Sequence, residues 1–221
     1  MSMRYLIYIY LQTTEGMDCR IINYLEKLCI YVAQVAIATF LFLLRFLIVR
    51  NQLYIDKAVF KINKLQKDVN FVVYANHQSM LDPAIITASM PFRVIPRLLP
   101  FRFFVENSYF RGFMKFMLTI LGGFPARYHE QKKYGLDKAK LVLKHNQTVF
   151  MFPSGMRTRK HIAKSGIAIL AKEPNIYLIP VHINWVSRLS CHVYIGAPIS
   201  GGINKTPKQL MDYVYKLPAV K

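Results

Sequence analysis

Acidic side chains are scarce in this chain. Its 221 residues hold 11 Asp and Glu against 30 Lys and Arg, a formal net charge of +19. Such a field attracts polyanions: nucleic acid, anionic lipid surfaces or phosphorylated substrates. Cysteine is thin as well. Cys19, Cys29 and Cys191 are scattered, odd in number and free of any C-x-x-C spacing. Neither a structural metal site nor a disulfide framework is indicated, and a reducing compartment fits. Internal repeats and low-complexity tracts are missing too, which leaves one domain, or one domain with an appendage.

What the chain has in excess is apolar surface. Hydrophobic residues make up 53% and mean hydropathy is +0.22. Soluble nucleic-acid binders are rarely this apolar, whereas basic charge beside apolar side chains suits a membrane surface, where each Lys or Arg near anionic lipid contributes ~1 kcal/mol. From Leu28 to Val49 the chain is broken only by Gln34, Thr39 and Arg45, and its length approaches the ~20 residues of a spanning helix. It starts too far from the terminus, and lacks the cleavage site, for a secretory signal. Three readings stand: a span with Arg45 snorkelling, a monotopic helix lying in the interface, or a buried core helix. Ahead of it, Tyr5–Leu11 is a short apolar run. Behind it, Asn51–Asn70 reads as a polar, basic linker with Lys57, Lys61, Lys64 and Lys67. We therefore divide the chain into a membrane-associating region, 1–54, and a domain over 55–221.

Within that domain, strand-like runs at Phe71–Ala75, Thr148–Phe152, Ile176–Ile183 and His192–Ile195 alternate with helical stretches. The helices are expected at Asp82–Ser89, Ser108–Leu121, Gln131–His145, Gly166–Ala171 and Pro207–Leu217, the last opened by a Thr206…Gln209 capping box. The pattern predicts an α/β fold, a mostly parallel sheet flanked by helices and preceded by a hydrophobic, membrane-anchoring helical region. Between Met90 and Phe116, Arg93, Arg97, Arg102, Arg111 and Lys115 interleave with seven phenylalanines. Such a stretch could stack bases or sit at headgroup level, and beside an apolar anchor the membrane is favoured.

Chemistry concentrates in three places. After the first strand, Asn76-His77-Gln78-Ser79-Met80-Leu81-Asp82-Pro83 sets a histidine five positions before a carboxylate. A neutral imidazole can take a proton from a hydroxyl, and a carboxylate can fix its tautomer. With no nucleophile of its own, the pair suits group transfer to a substrate alcohol. Asp82-Pro83 also reads as a helix start, with Asp82 as N-cap. Gly122-Gly123-Phe124-Pro125-Ala126-Arg127 reads as a tight turn ending in an arginine. Phe152-Pro153-Ser154-Gly155-Met156-Arg157-Thr158-Arg159 follows the second strand with further arginines. Arginine suits bidentate capture of phosphate, and turn glycines allow close backbone approach.

The order of these blocks resembles the glycerolipid acyltransferase family of the 1-acyl-glycerol-3-phosphate acyltransferase (PlsC) type. That family's N-H-x-x-x-x-D, G-x-x-x-x-R, F-P-E-G-T-R and V-P-V/I blocks correspond to Asn76-His77…Asp82, Gly122…Arg127, Phe152–Arg157 and Ile179-Pro180-Val181. Lys164-Ser165-Gly166 stands where the family has Lys-x-Gly. The resemblance implies His77 as general base and Asp82 as its orienter. It implies Arg127, Ser154, Gly155, Arg157 and Lys164 on the acceptor, and neither metal nor cofactor. It further implies a membrane enzyme, its site facing the cytoplasm, with acyl-CoA or acyl-carrier protein as donor, a lysophospholipid as acceptor and no nucleic acid as partner. Two positions depart from the pattern: Ser154 replaces the family's glutamate and Met156 its small hydroxyl residue. A P-S-G-G-R form is similar to the block of plant plastid glycerol-3-phosphate acyltransferases. Glycerol-3-phosphate or another hydroxyl-bearing amphiphile is therefore an alternative acceptor, and a non-catalytic basic membrane or nucleic-acid-binding protein is the alternative of another class.

Overall fold

The computed structural model describes residues 24–25, 27–36, 39, 50–66, 68–126, 134–155, 163–187 and 190–219. Its eight strands are β1 (Arg50–Ile55), β2 (Asn70–Ala75), β3 (Phe101–Val105), β4 (Gly123–Pro125), β5 (Thr148–Met151), β6 (Ile176–Ser187), β7 (Ser190–Ile195) and β8 (Ile199–Ser200). They form one sheet in the order β1-β7-β6-β2-β5-β3-β4, with β8 on β6. Pairing is parallel except where β6 meets β7 and β8. The sheet is thus mostly parallel, as the alternation of strands and helices predicts.

β2 shows why the sheet is covered on both sides. Residues Phe71 to Ala75 are all buried, as expected of a strand with helices on both faces. Phe71, Val73 and Ala75 meet α1 (Asp82–Ser89), α2 (Ile95–Leu98) and the 3-10 turn Lys57–Lys64 through Ile85, Ile86, Leu98, Val59 and Ile62. Val72 and Tyr74 meet α4 (Tyr134–Lys144), α5 (Gly166–Ala171) and α6 (Pro207–Lys216) through Val142, Ile167, Leu210 and Val214. Each fully buried aliphatic side chain contributes about 1.5–3 kcal/mol. α3 (Gly112–Ile120) joins β3 to β4 and buries no residue. At α6 the expected capping box is present in both directions between Thr206 and Gln209.

Several expectations need correction. The stretch Asn51–Asn70 is not a linker: β1 pairs in parallel with β7 and straddles positions 54 and 55. As an edge strand it keeps polar residues such as Gln52 on a solvated face, which masks its pattern. Gly122–Ala126 is not a tight turn but carries β4, and Phe101–Val105 within the aromatic-basic stretch is β3. Phe101 and Phe124 there are core residues.

The start of the apolar N-terminal run is helical at residues 27–36. It docks through Ile30, 1% exposed, and Gln34, 5% exposed. Gln34 Nε2 donates to the carbonyls of Phe101 (2.6 Å) and Leu121 (2.8 Å), and its Oε1 accepts from Phe101 N (2.8 Å). Gly122, at φ +85°, leaves room for this: an added Cβ would stand 2.3 Å from Phe101 O and 2.8 Å from Gln34 Nε2. No helix among the described residues is long and apolar enough to cross a membrane. Tyr5–Leu11, Arg45 and the expected start of the third helix at Gln131 lie outside the described residues.

Tyr74 links the sheet to α6, its hydroxyl donating to Leu210 O at 3.2 Å. Burial pushes its phenol well above the usual 10.0. The neutral form is therefore favoured in the fold. Its contribution is complete below pH 10 and drains away as pH rises beyond that value. Tyr74→Phe should lower unfolding free energy by about 1 kcal/mol at pH 7 and flatten the loss of stability above pH 10. Denaturant titrations at both pH values check this.

Candidate functional site

The loops that carry the candidate residues leave from one level because the parallel strands end there. The β2–β5 register puts Ala75 beside Phe152, and the β5–β3–β4 register puts Val105 and Pro125 level with them. Loops leaving the carboxyl ends of parallel strands are where open α/β sheets gather ligands. β6 is different. Opposite β2 it has reached only Val181 at this level, yet it continues to Ser187. The overhang makes a wall against which the loop after β2 leans.

Asn76 begins that contact. Its Nδ2 donates to Ile183 O (2.7 Å) and its Oδ1 accepts from Ile183 N (2.8 Å). The carboxamide thereby takes the place of the next peptide group after the β2 backbone turns away. Gln78 Oε1 then accepts from Trp185 N (3.3 Å). Two side chains of the loop thus hold it to β6.

Asp82 is the centre of the arrangement and is fully buried. Its Oδ2 accepts from Gln78 N (2.6 Å) and Ser79 N (2.8 Å) and lies 2.9 Å from His77 Nδ1. Its Oδ1 accepts from Trp185 Nε1 at 2.7 Å. An oxygen that already accepts from two amides acts as acceptor toward the ring as well, so Nδ1 carries the proton and Nε2 keeps its lone pair. The imidazole also stacks on Phe152, centroids 4.0 Å apart and planes 17° from parallel. Its plane and tautomer are both set, its side chain is 18% exposed, and Nε2 is free to take a proton from a hydroxyl. Contrary to expectation Asp82 is not the N-cap. Leu81 holds that position, and Asp82, the first residue of α1, turns its carboxylate back to the loop.

The second block lies beside this pair. Gly155 N donates to Phe152 O (2.9 Å) and Lys164 N to Pro153 O (2.9 Å), which folds Phe152–Gly155 into a turn at the end of β5. Ser154 is buried, 6% exposed. Gly155 adopts φ +66°, and a Cβ there would lie 2.5 Å from Lys164 Nζ, so the lysine crosses the space that glycine leaves. The structure thus brings His77, Asp82, Ser154, Gly155 and Lys164 to one edge of the sheet. Gly122 belongs to the other end, where β4 begins, and makes room for Gln34 rather than a ligand. Arg127, Arg157 and Arg159, with Met156, lie outside the described residues; the described chain reaches Ala126 just beyond the carboxyl end of β4.

The family model described as "Acyltransferase" matches residues 58–184. This chain belongs to the PlsC-type glycerolipid acyltransferase family. No curated protein matches it. In this acyltransferase the matched range holds the His77–Asp82 loop, the turn after β5 and Lys164, and it stops one residue short of Trp185. Sequence reading missed Trp185, Phe152 as the stacking partner, and the tethering roles of Asn76 and Gln78. Trp185 is the sole tryptophan of the chain, and a lone amphipathic ring is a usable signal only once a partner for its N–H is known. Among the described residues no group of three His, Cys, Asp or Glu comes together as a metal site would require.

Trp185→Phe leaves Asp82 Oδ1 without its donor in a buried place, which should cost about 1.5–3 kcal/mol of unfolding free energy. Asp82→Asn should shift the emission of the single tryptophan while circular dichroism stays native. An unchanged emission maximum would place the indole away from residue 82.

Proposed function

We propose that this acyltransferase is membrane-bound and moves a fatty acyl group from acyl-CoA or acyl-carrier protein to the free hydroxyl of a lysophospholipid. The acceptor that fits the motif set is 1-acyl-glycerol-3-phosphate, giving phosphatidic acid. The observation that carries the reading is the buried Asp82 carboxylate holding His77 with Nε2 open. His77 Nε2 removes the acceptor hydroxyl's proton as that oxygen attacks the thioester carbonyl. The carbon–sulfur bond breaks, the ester forms, and the imidazolium returns its proton to the departing thiolate. Asp82 accepts from Nδ1 throughout and stabilises the cation. No side chain becomes acylated.

Lys164, with Arg127 and Arg157, supplies the cations for the acceptor's phosphate. Ser154 and Gly155 line the same turn. Because Ser154 offers a hydroxyl where the family has a carboxylate, glycerol-3-phosphate or another hydroxyl-bearing amphiphile is the second reading for the acceptor. The scattered, odd-numbered cysteines Cys19, Cys29 and Cys191, with no C-x-x-C spacing, suit a site on the reducing, cytoplasmic side of the membrane.

The test is thiol release from each donor with a panel of lysophospholipids and glycerol-3-phosphate in detergent. His77→Ala and Asp82→Ala should each lower kcat by about 10²–10⁴-fold with folding retained, the range that positioned proton transfer supplies. If wild-type protein releases no thiol with any acceptor, the proposal is wrong. Arg157→Ala should raise the KM for phosphorylated acceptors and leave the donor's KM unchanged. An unchanged acceptor KM removes the phosphate role.

A further inference from the structure

α3 is anomalous for a helix that crosses between two parallel strands. Its nine residues, Gly-Phe-Met-Lys-Phe-Met-Leu-Thr-Ile, include none that is buried. The two ends differ. At the far end Leu121 O accepts from Gln34, and Gly123 lets the helix sit close, since a Cβ there would stand 2.8 Å from Leu118 O. At the near end Phe113 is 75% exposed and Met114 51% exposed. Phe113 and Phe116 pack on each other, centroids 6.3 Å apart, outside the core.

Topology places that bare end at the candidate site's edge. β3 finishes there with Val105, and the chain passes through the turn Asn107–Tyr109 into α3 before re-entering at the opposite edge with Gly123. Other large apolar side chains are exposed on the same edge. Met80 and Leu81 stand at 61% and 54% in the loop between His77 and Asp82, and Val186 at 61% on the β6 overhang. Arg111 and Lys115, both exposed, flank Phe113 and Met114. From residue 90 to 126 the chain has Arg93, Arg97, Arg102, Arg111 and Lys115 against the single carboxylate of Glu106.

We infer that this edge is a docking surface for an anionic lipid bilayer. The first turn of α3 and the loop Met80–Leu81 enter the interface, with Arg111 and Lys115 at the phosphate level. Apolar side chains that penetrate and cations that flank them are the two components of interfacial binding. Met80, Leu81, Met114 and Val186 offer no ring for bases to stack on, and Phe113 stands as the single largely exposed ring among them, which disfavours a nucleic acid. A second copy would bring Arg111 and Lys115 of a chain of charge +19 against their like. This inference rests on the lipid-acceptor reading and adds an entry route: the acceptor hydroxyl reaches His77 Nε2 from the bilayer without leaving it.

The experiment compares full-length wild type with the double variant Phe113→Asp, Met114→Asp, neither residue being part of the proton-transfer pair. Acyl transfer is measured to a long-chain lysophosphatidic acid embedded in vesicles of equal phosphatidylcholine and phosphatidylglycerol. It is measured in parallel to a short-chain lysophosphatidic acid dissolved as monomer. The variant should lose about tenfold or more on the embedded acceptor and stay within about twofold on the monomeric one, because only interfacial contact has changed. Equal activity ratios in variant and wild type overturn the inference, as does an equal loss on both acceptors. Wild-type self-association that the variant abolishes would assign the face to a second copy and overturn it too. If the wild type transfers to neither acceptor, the functional reading fails by itself. The docking face is then judged by co-sedimentation with the same vesicles, where reduced binding of the variant supports it and unchanged binding overturns it.

Discussion

A carboxylate withdrawn entirely from solvent depends on the donors the protein brings to it. Asp82 receives two from backbone amides of its own loop, one from His77 and one from Trp185, which lies 103 residues away in sequence. A buried charge with fewer partners would cost several kcal/mol. The loop, the imidazole and the end of β6 are therefore coupled: none can move without exposing or stranding the carboxylate. The geometry that leaves Nε2 with its lone pair is also the one that satisfies the buried ion.

The overhang of β6 makes this possible. A parallel sheet whose strands all stopped together would leave the loop after β2 in water on every side. By running on past Val181 while β7 pairs with it from the other flank, β6 gives the loop a rigid backing. Asn76 extends the hydrogen-bonding pattern of β2 onto that backing with a side chain instead of a peptide. The position of His77 is thus set by strand register, a property of the whole sheet.

Legibility in the sequence followed the range of the interactions. α1, α5 and α6 were readable because local chemistry marks them: Asp82-Pro83, a compact apolar run, and the Thr206–Gln209 box. β2, β5 and β6 were readable because burial on both faces leaves continuous apolar runs. β1 and β4 were not, one being a polar edge strand and the other three residues long, beginning on the second of two glycines. β3 hid because Arg102 interrupts its apolar run. At the site, His77 and Asp82 lie five positions apart and could be paired by eye. Trp185 could not, since only folding brings it to Asp82, and the role of Gly122 required knowing that Gln34 lies above it.

Gln34 carries a consequence for where this protein can be divided. Its carboxamide serves both backbone groups of Phe101, which are buried, and the half-buried carbonyl of Leu121. A piece beginning at β1 would strip those three peptide groups of their partner at once, and each orphaned group costs about 1–3 kcal/mol. The described start of the apolar N-terminal run is thus a structural member, one whose polar residue Gln34 completes the amino end of the sheet. The stretch proposed to attach the protein to lipid is thus also the one on which domain integrity depends, so selection on either role constrains the other.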